Sequence, residues 1–124
     1  MSTTIRTFIA AVLCFLAVAA GADDKAAIQK HVDEIVRAIN KGKEATSYSA
    51  DAYTPYVFIM KPDGKLIVHP FLAGEYLQEK AAPVHTALQQ ATTGGIWVEY
   101  FWKGGQKQTY VRKTNNNLIV GSGQ

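Results

Sequence analysis

The chain has almost no cysteine: its one thiol, Cys14, lies near the start of the 124 residues. Beyond Cys14 a disulfide framework, a thiolate metal site, a cysteine nucleophile and a c-type haem attachment are all excluded. One-sided charge is lacking as well. The 13 basic and 10 acidic side chains leave a formal net charge of +3. The lysines are scattered, so neither nucleic acid nor a membrane surface is implied as a partner. No HExxH, GxSxG or phosphate-binding glycine loop is present, which removes the reactions those motifs carry. Ser47, Ser49 and Ser122 stand without a recognisable base. The chain is read as a non-enzyme with no cofactor. It shows no internal repeat or low-complexity tract, and its length allows one domain.

Long apolar runs are missing too. The longest, Phe8 to Ala20, falls short of the roughly 20 residues that span a bilayer. It follows Arg6 and precedes the small-x-small site Ala20-Gly21-Ala22. That order predicts a signal peptide over residues 1–22 and a periplasmic or secreted domain over residues 23–124, with no membrane anchor in the mature form.

The domain opens on an apolar stripe, Ile28, Val32, Ile35, Val36 and Ile39, at the spacing of one buried helix face. Asp24 is the candidate N-cap, and Gly42 stands where the helix would end. Residues 43–54 have no strong period. The β-rich runs 56–60 and 66–69 flank Lys61-Pro62-Asp63-Gly64, a hairpin signal. Residues 71–82 read as irregular and 83–92 as a short helix. Runs 96–102 and 108–113 around Gly104-Gly105 form a second hairpin, and 118–122 a closing strand. The order predicts an α+β, PAS-like fold: a long N-terminal helix on an antiparallel sheet of about five strands, with a short helix between the hairpins.

A two-residue Gly104-Gly105 loop sets Phe101 opposite Gln108, Glu99 opposite Tyr110 and Trp97 opposite Arg112, all on one face. Ile96, Val98, Tyr100, Trp102, Thr109 and Val111 share the other, which is expected to pack under the long helix. The first face has the aromatic walls and few polar groups of a small-ligand pocket. Arg112 offers a planar fork suited to a carboxylate and Tyr110 a hydroxyl donor. The candidate ligand-binding residues are therefore Arg112, Tyr110, Trp97, Glu99, Phe101 and His69. The competing reading pairs Arg112 with Glu99 across the strands and leaves the face solvated. His69, at a strand end before Pro70, reads first as a residue satisfied by backbone groups. His31 and Glu34 have a metal-compatible i, i+3 spacing, but they lie on the wet helix face and read as solvated. His85 has no partner at ligand spacing.

The chain also resembles a known family. Pro62-Asp63-Gly64, Leu66 to Pro70 reading L-I-V-H-P, Gly74 and Leu77 resemble the DGxxxxHPxxxGxxL stretch of single-Cache domains of the second type. Residues 94–102, reading G-G-I-W-V-E-Y-F-W, are similar to that family's GGxWVEYxW strand. Lys107 with Tyr110-Val111, and Val120-Gly121-Ser122-Gly123, are similar to its KxxYV and VGSG elements. The resemblance implies an extracytoplasmic PAS-like sensor of small ligands, often carboxylates. With no apolar segment after the last strand, the expected mode of action is through a separate membrane receptor or kinase. The alternatives are an interaction module without a small ligand and, last, a small enzyme.

Overall fold

A computed structural model describes residues 24–123; the expected signal peptide, residues 1–22, lies outside them. Residues 24–40 form helix α1. Its stripe Ile28, Val32, Ile35, Val36 and Ile39 is buried, while Lys30, Glu34 and Arg37 are exposed, as the helical period requires. Gly42 ends the helix at φ 110°, a backbone state glycine enters at little cost. Its N–H bonds the Ile39 carbonyl. Two short 3-10 turns, Ala45–Ser47 and Ala50–Ala52, lead into the sheet.

Strands β1 (Val57–Met60) and β2 (Leu66–Val68) form the first hairpin. The Lys61 N–H bonds the Lys65 carbonyl at 2.8 Å, and the Lys65 N–H bonds Asp63 Oδ1 at 3.0 Å. Gly64 takes φ 95°, so Asp63 and Gly64 supply the turn chemistry expected of them. Helices α2 (Leu77–Lys80) and α3 (Ala82–Leu88) follow. The sequence predicts only one helix here. The second exists because Leu77 and Ala81 bury against the sheet, a tertiary gain that local periodicity does not show.

Strands β3 (Ile96–Trp102), β4 (Gly105–Lys113) and β5 (Ile119–Gly123) complete a five-stranded sheet in the order β2-β1-β5-β4-β3. Every neighbouring pair is antiparallel. This is the expected α+β, PAS-like architecture.

Two expectations need correction. The second hairpin turns on Lys103 and Gly104, at φ 52° and 76°, because Trp102 pairs with Gly105. Left-handed φ at both central residues matches the right-handed strand twist. The register therefore runs Phe101 to Gln106, Glu99 to Gln108 and Trp97 to Tyr110. The shift is two residues, and because side chains alternate, the same residues still share a face.

The other correction concerns what covers each face. Helix α1 packs on the face carrying Val57, Ile59, Val68, Tyr110 and Val120, with Trp97 against the same cluster. The face carrying Phe58, Met60, Leu66, Val98, Val111 and Ile119 is covered by α2 and α3, with Tyr100 and Trp102 packed against it. The sequence assigned these covers the other way round. All four residues of β1 are buried, so this strand has no wet side from which to orient the sheet.

Candidate functional site

The six residues singled out from the sequence do not converge. Arg112, Tyr110 and Trp97 lie beneath α1. Asp33, one step along the helix from the apolar Val32, turns its carboxylate toward the sheet. Its Oδ1 accepts from Tyr110 Oη at 3.0 Å and from Arg112 Nη1 at 3.0 Å. Arg112 also donates through Nε and Nη2 to the Thr93 carbonyl, at 2.8 and 2.5 Å. The guanidinium thus has internal acceptors on two sides and no open fork for a ligand. Burial, and then the bond to Asp33, raise the Tyr110 phenol above its usual value, so it stays a donor. Trp97 lies 5.6 Å from Tyr110 between ring centroids, with Lys25 Nζ 5.1 Å from its ring. These residues tie α1 to the sheet.

Glu99 is exposed and accepts from Gln106 and Gln108 at 3.2 and 3.3 Å rather than pairing with Arg112. Phe101 is 64% exposed. His31, expected on the wet side, is half-buried and packs edge-on against Tyr53. Among the described residues no group of three His, Cys, Asp or Glu side chains could hold a metal ion. No helix there is long and apolar enough to cross a membrane.

If Asp33 is the tie, Asp33→Ala will destabilise the fold by about 1–2 kcal/mol. That is the range for charge-assisted bonds discounted for partial solvent access, since the Arg112 and Asp33 side chains are 22% and 31% exposed. Chemical denaturation measures it, and a neutral substitution would show that apolar packing alone holds α1.

A cavity of about 500 Å³ lies on the other face, between the sheet and helices α2 and α3. Phe58 from β1 and Tyr100 and Trp102 from β3 supply aromatic surface. Leu77, Ala81 and Val84 form the helical wall, and Phe71 and Leu72 the wall from the preceding turn. Thr109 sits inside with its Oγ1 2.8 Å from the Tyr100 hydroxyl. His69 and Tyr56 stand at this wall with ring centroids 5.2 Å apart. Burial pushes the Tyr56 phenol above its ordinary value and the His69 imidazole below its own, since desolvation penalises each charged form. Of the six predicted site residues, His69 alone lines this space.

The cavity's charge is one-sided. Lys80 from α2, Lys103 from the turn and Lys107 from β4 line it, and among the described residues no aspartate or glutamate does. Lys80 pairs with Glu75 at 3.6 Å, both side chains about half exposed, an arrangement worth little. Among the described residues neither Lys103 nor Lys107 has a salt-bridge partner. Alternation does place Tyr100, Trp102, Lys107 and Thr109 on one face. What it lacks is any sign of which face keeps a void. A sequence signal did exist, in the lysines that recur at the hairpin among the aromatics of the apolar face.

No protein-family model matches the chain, and no curated protein matches it significantly in sequence. Among solved structures, the chain is similar to the crystal structure of a methyl-accepting chemotaxis protein from Vibrio parahaemolyticus RIMD 2210633. It is 15% identical, with a TM-score of 0.47, over 82% of this chain and 88% of that one.

Proposed function

We propose that this chain is an exported sensor-type domain that binds a small carboxylate-bearing metabolite in the cavity between the sheet and helices α2 and α3, and acts through a separate membrane receptor or kinase. One observation carries the reading: an aromatic-walled space of about 500 Å³ with three lysines and, among the described residues, no acidic side chain in its lining. Apolar walls with a few placed polar groups are the usual make-up of a small-molecule site. The lysines select for an anion, and the lack of a carboxylate leaves an ammonium group without a counter-charge, so plain carboxylic acids fit better than amino acids. Export follows from Arg6, the apolar run 8–20 and Ala20-Gly21-Ala22.

The test is a thermal-shift screen of short aliphatic acids and benzoate against their neutral amides and against amino acids. Acids that bind will raise the melting temperature, with about 2.7 kcal/mol of added stability at a hundredfold excess over Kd. By calorimetry, Lys107→Gln will weaken a binding acid roughly tenfold, the scale of one charge-assisted bond. Equal stabilisation by acids and amides would remove the anion reading. If no acid stabilises the protein while it retains a protein partner in a pull-down, the interaction-module reading replaces this one.

A further inference from the structure

The turn that walls one side of the cavity is held by a titratable side chain. Pro70 has no N–H to donate. The N–H groups of Phe71 and Leu72 both donate to one acceptor, Nδ1 of His69, at 3.3 and 3.1 Å. Among the described residues no backbone carbonyl accepts from either. Backbone pairing resumes at Gly74, whose N–H bonds the Leu66 carbonyl at 2.7 Å. An Nδ1 that accepts two N–H groups belongs to a neutral imidazole with its proton on Nε2. Phe71 and Leu72 line the cavity, and the His69 ring meets Phe71 edge-to-face at 4.7 Å. One lone pair therefore fixes a wall of the site.

We propose that His69 is a proton-operated latch: neutral, it holds the 70–73 turn against the cavity, and protonated at Nδ1 it releases that turn and opens the wall. A proton on Nδ1 replaces the acceptor with a donor that faces two donors, so both bonds must break or the ring must turn away. Burial favours the neutral state, and the titratable groups that face the ring carry both signs. Through the cavity His69 shares its space with Lys80, Lys103 and Lys107 and with the phenols of Tyr56 and Tyr100. In the cleft on its other side stand Tyr48 and one opposing charge, Asp51.

Burial lowers the His69 pKa below the ordinary 6.5, so the unfolded or released ring takes the proton first. The latch is intact above that value and is lost as pH falls through it toward the lower folded one. This regulation deepens the proposed function and rests on it for its consequence, ligand held near neutrality and let go in acid.

The experiment is NMR of the labelled protein between about pH 7.5 and 5, the window in which histidine changes charge. It reads the His69 ring shifts together with the exchange protection of the Phe71 and Leu72 amides, corrected for intrinsic rate at each pH. Protection should fall by roughly tenfold as His69 titrates, the size of one lost hydrogen bond. It should not follow His31 or His85. His69→Asn, whose side-chain oxygen accepts without titrating, should keep the amides protected across the window. His69→Ala should leave them unprotected throughout. Constant protection through the His69 titration, or a pH-dependent loss that survives in His69→Asn, overturns the latch. A parallel benzoate titration separates the two claims. Amide release that follows His69 with no benzoate binding at any pH leaves the latch standing and counts against the ligand reading.

Discussion

Replacing Ile35 with alanine will lower the unfolding free energy by about 2–5 kcal/mol, while Arg37→Ala, two residues along the same helix, will change it by no more than about 0.5 kcal/mol. Ile35 is 1% exposed and sits in the cluster that joins α1 to Val57, Ile59 and Val120. Truncating it removes apolar surface from the core and leaves a cavity, because strand backbones on the far side are fixed by their ladders and cannot close in. The beginning of that ladder is tight: Val57 pairs with Ser122, and the Ser122 hydroxyl donates to the Tyr56 carbonyl at 2.8 Å. Arg37 is on the exposed side and offers only solvated charge. Denaturant midpoints with unchanged slopes give the comparison. A larger loss at Arg37 than at Ile35 would mean that the buried face of α1 is misplaced.

Gly121→Ala will destabilise the fold by about 1–3 kcal/mol through overpacking, and it will also shrink the cavity under α2 and α3. Gly121 pairs with Phe58 on one side and Val111 on the other, in the middle of the sheet. A β-carbon there would run into the Phe58 ring at Cζ, with Phe58 Cε2 at 2.8 Å and Val111 Cγ1 at 2.9 Å. Val111 is fully buried and Phe58 is 8% exposed, so Val111 has no free space to move into and Phe58 has it on one side only. The ring's open side is the cavity, because Phe58 lines it. Relief of the clash therefore pushes Phe58 into the site. The variant should lose both unfolding free energy and affinity for a binding acid, the second measured by calorimetry on the folded protein. Lost stability with unchanged affinity would place the ligand away from Phe58.

The fold was legible where local chemistry decides it. The stripe from Ile28 to Ile39, the Pro62-Asp63-Gly64 turn and the alternation in 96–102 each name an element, and their order gives the antiparallel sheet. The candidate site was less legible because alternation says which side chains share a face but not what lies over it. Alternation puts Trp97, Tyr110 and Arg112 on one face, and the sequence alone reads that face as an open pocket. Asp33 closes that side, and its register on α1 relative to the sheet is a tertiary fact with no local signature. Similarly, α2 forms only because Leu77 and the Ala81 that follows its last residue bury against the sheet, so this part of the cavity's cover reads as irregular chain. The strand-end position of His69 before Pro70 points to backbone partners, and two backbone N–H groups do donate to its Nδ1.

If a small acid binds on the sheet face under α2 and α3, as proposed, a benzoate titration followed by amide shifts of the labelled protein will locate it there. Saturable shifts are expected at Leu72, Ala81, Tyr100, Lys107 and Gly123, all of which line the cavity, with Asp33, Trp97 and Arg112 unmoved. Shifts concentrated instead at Trp97, Arg112 and the facing turns of α1 would contradict that placement and return the binding site to the helix side of the sheet.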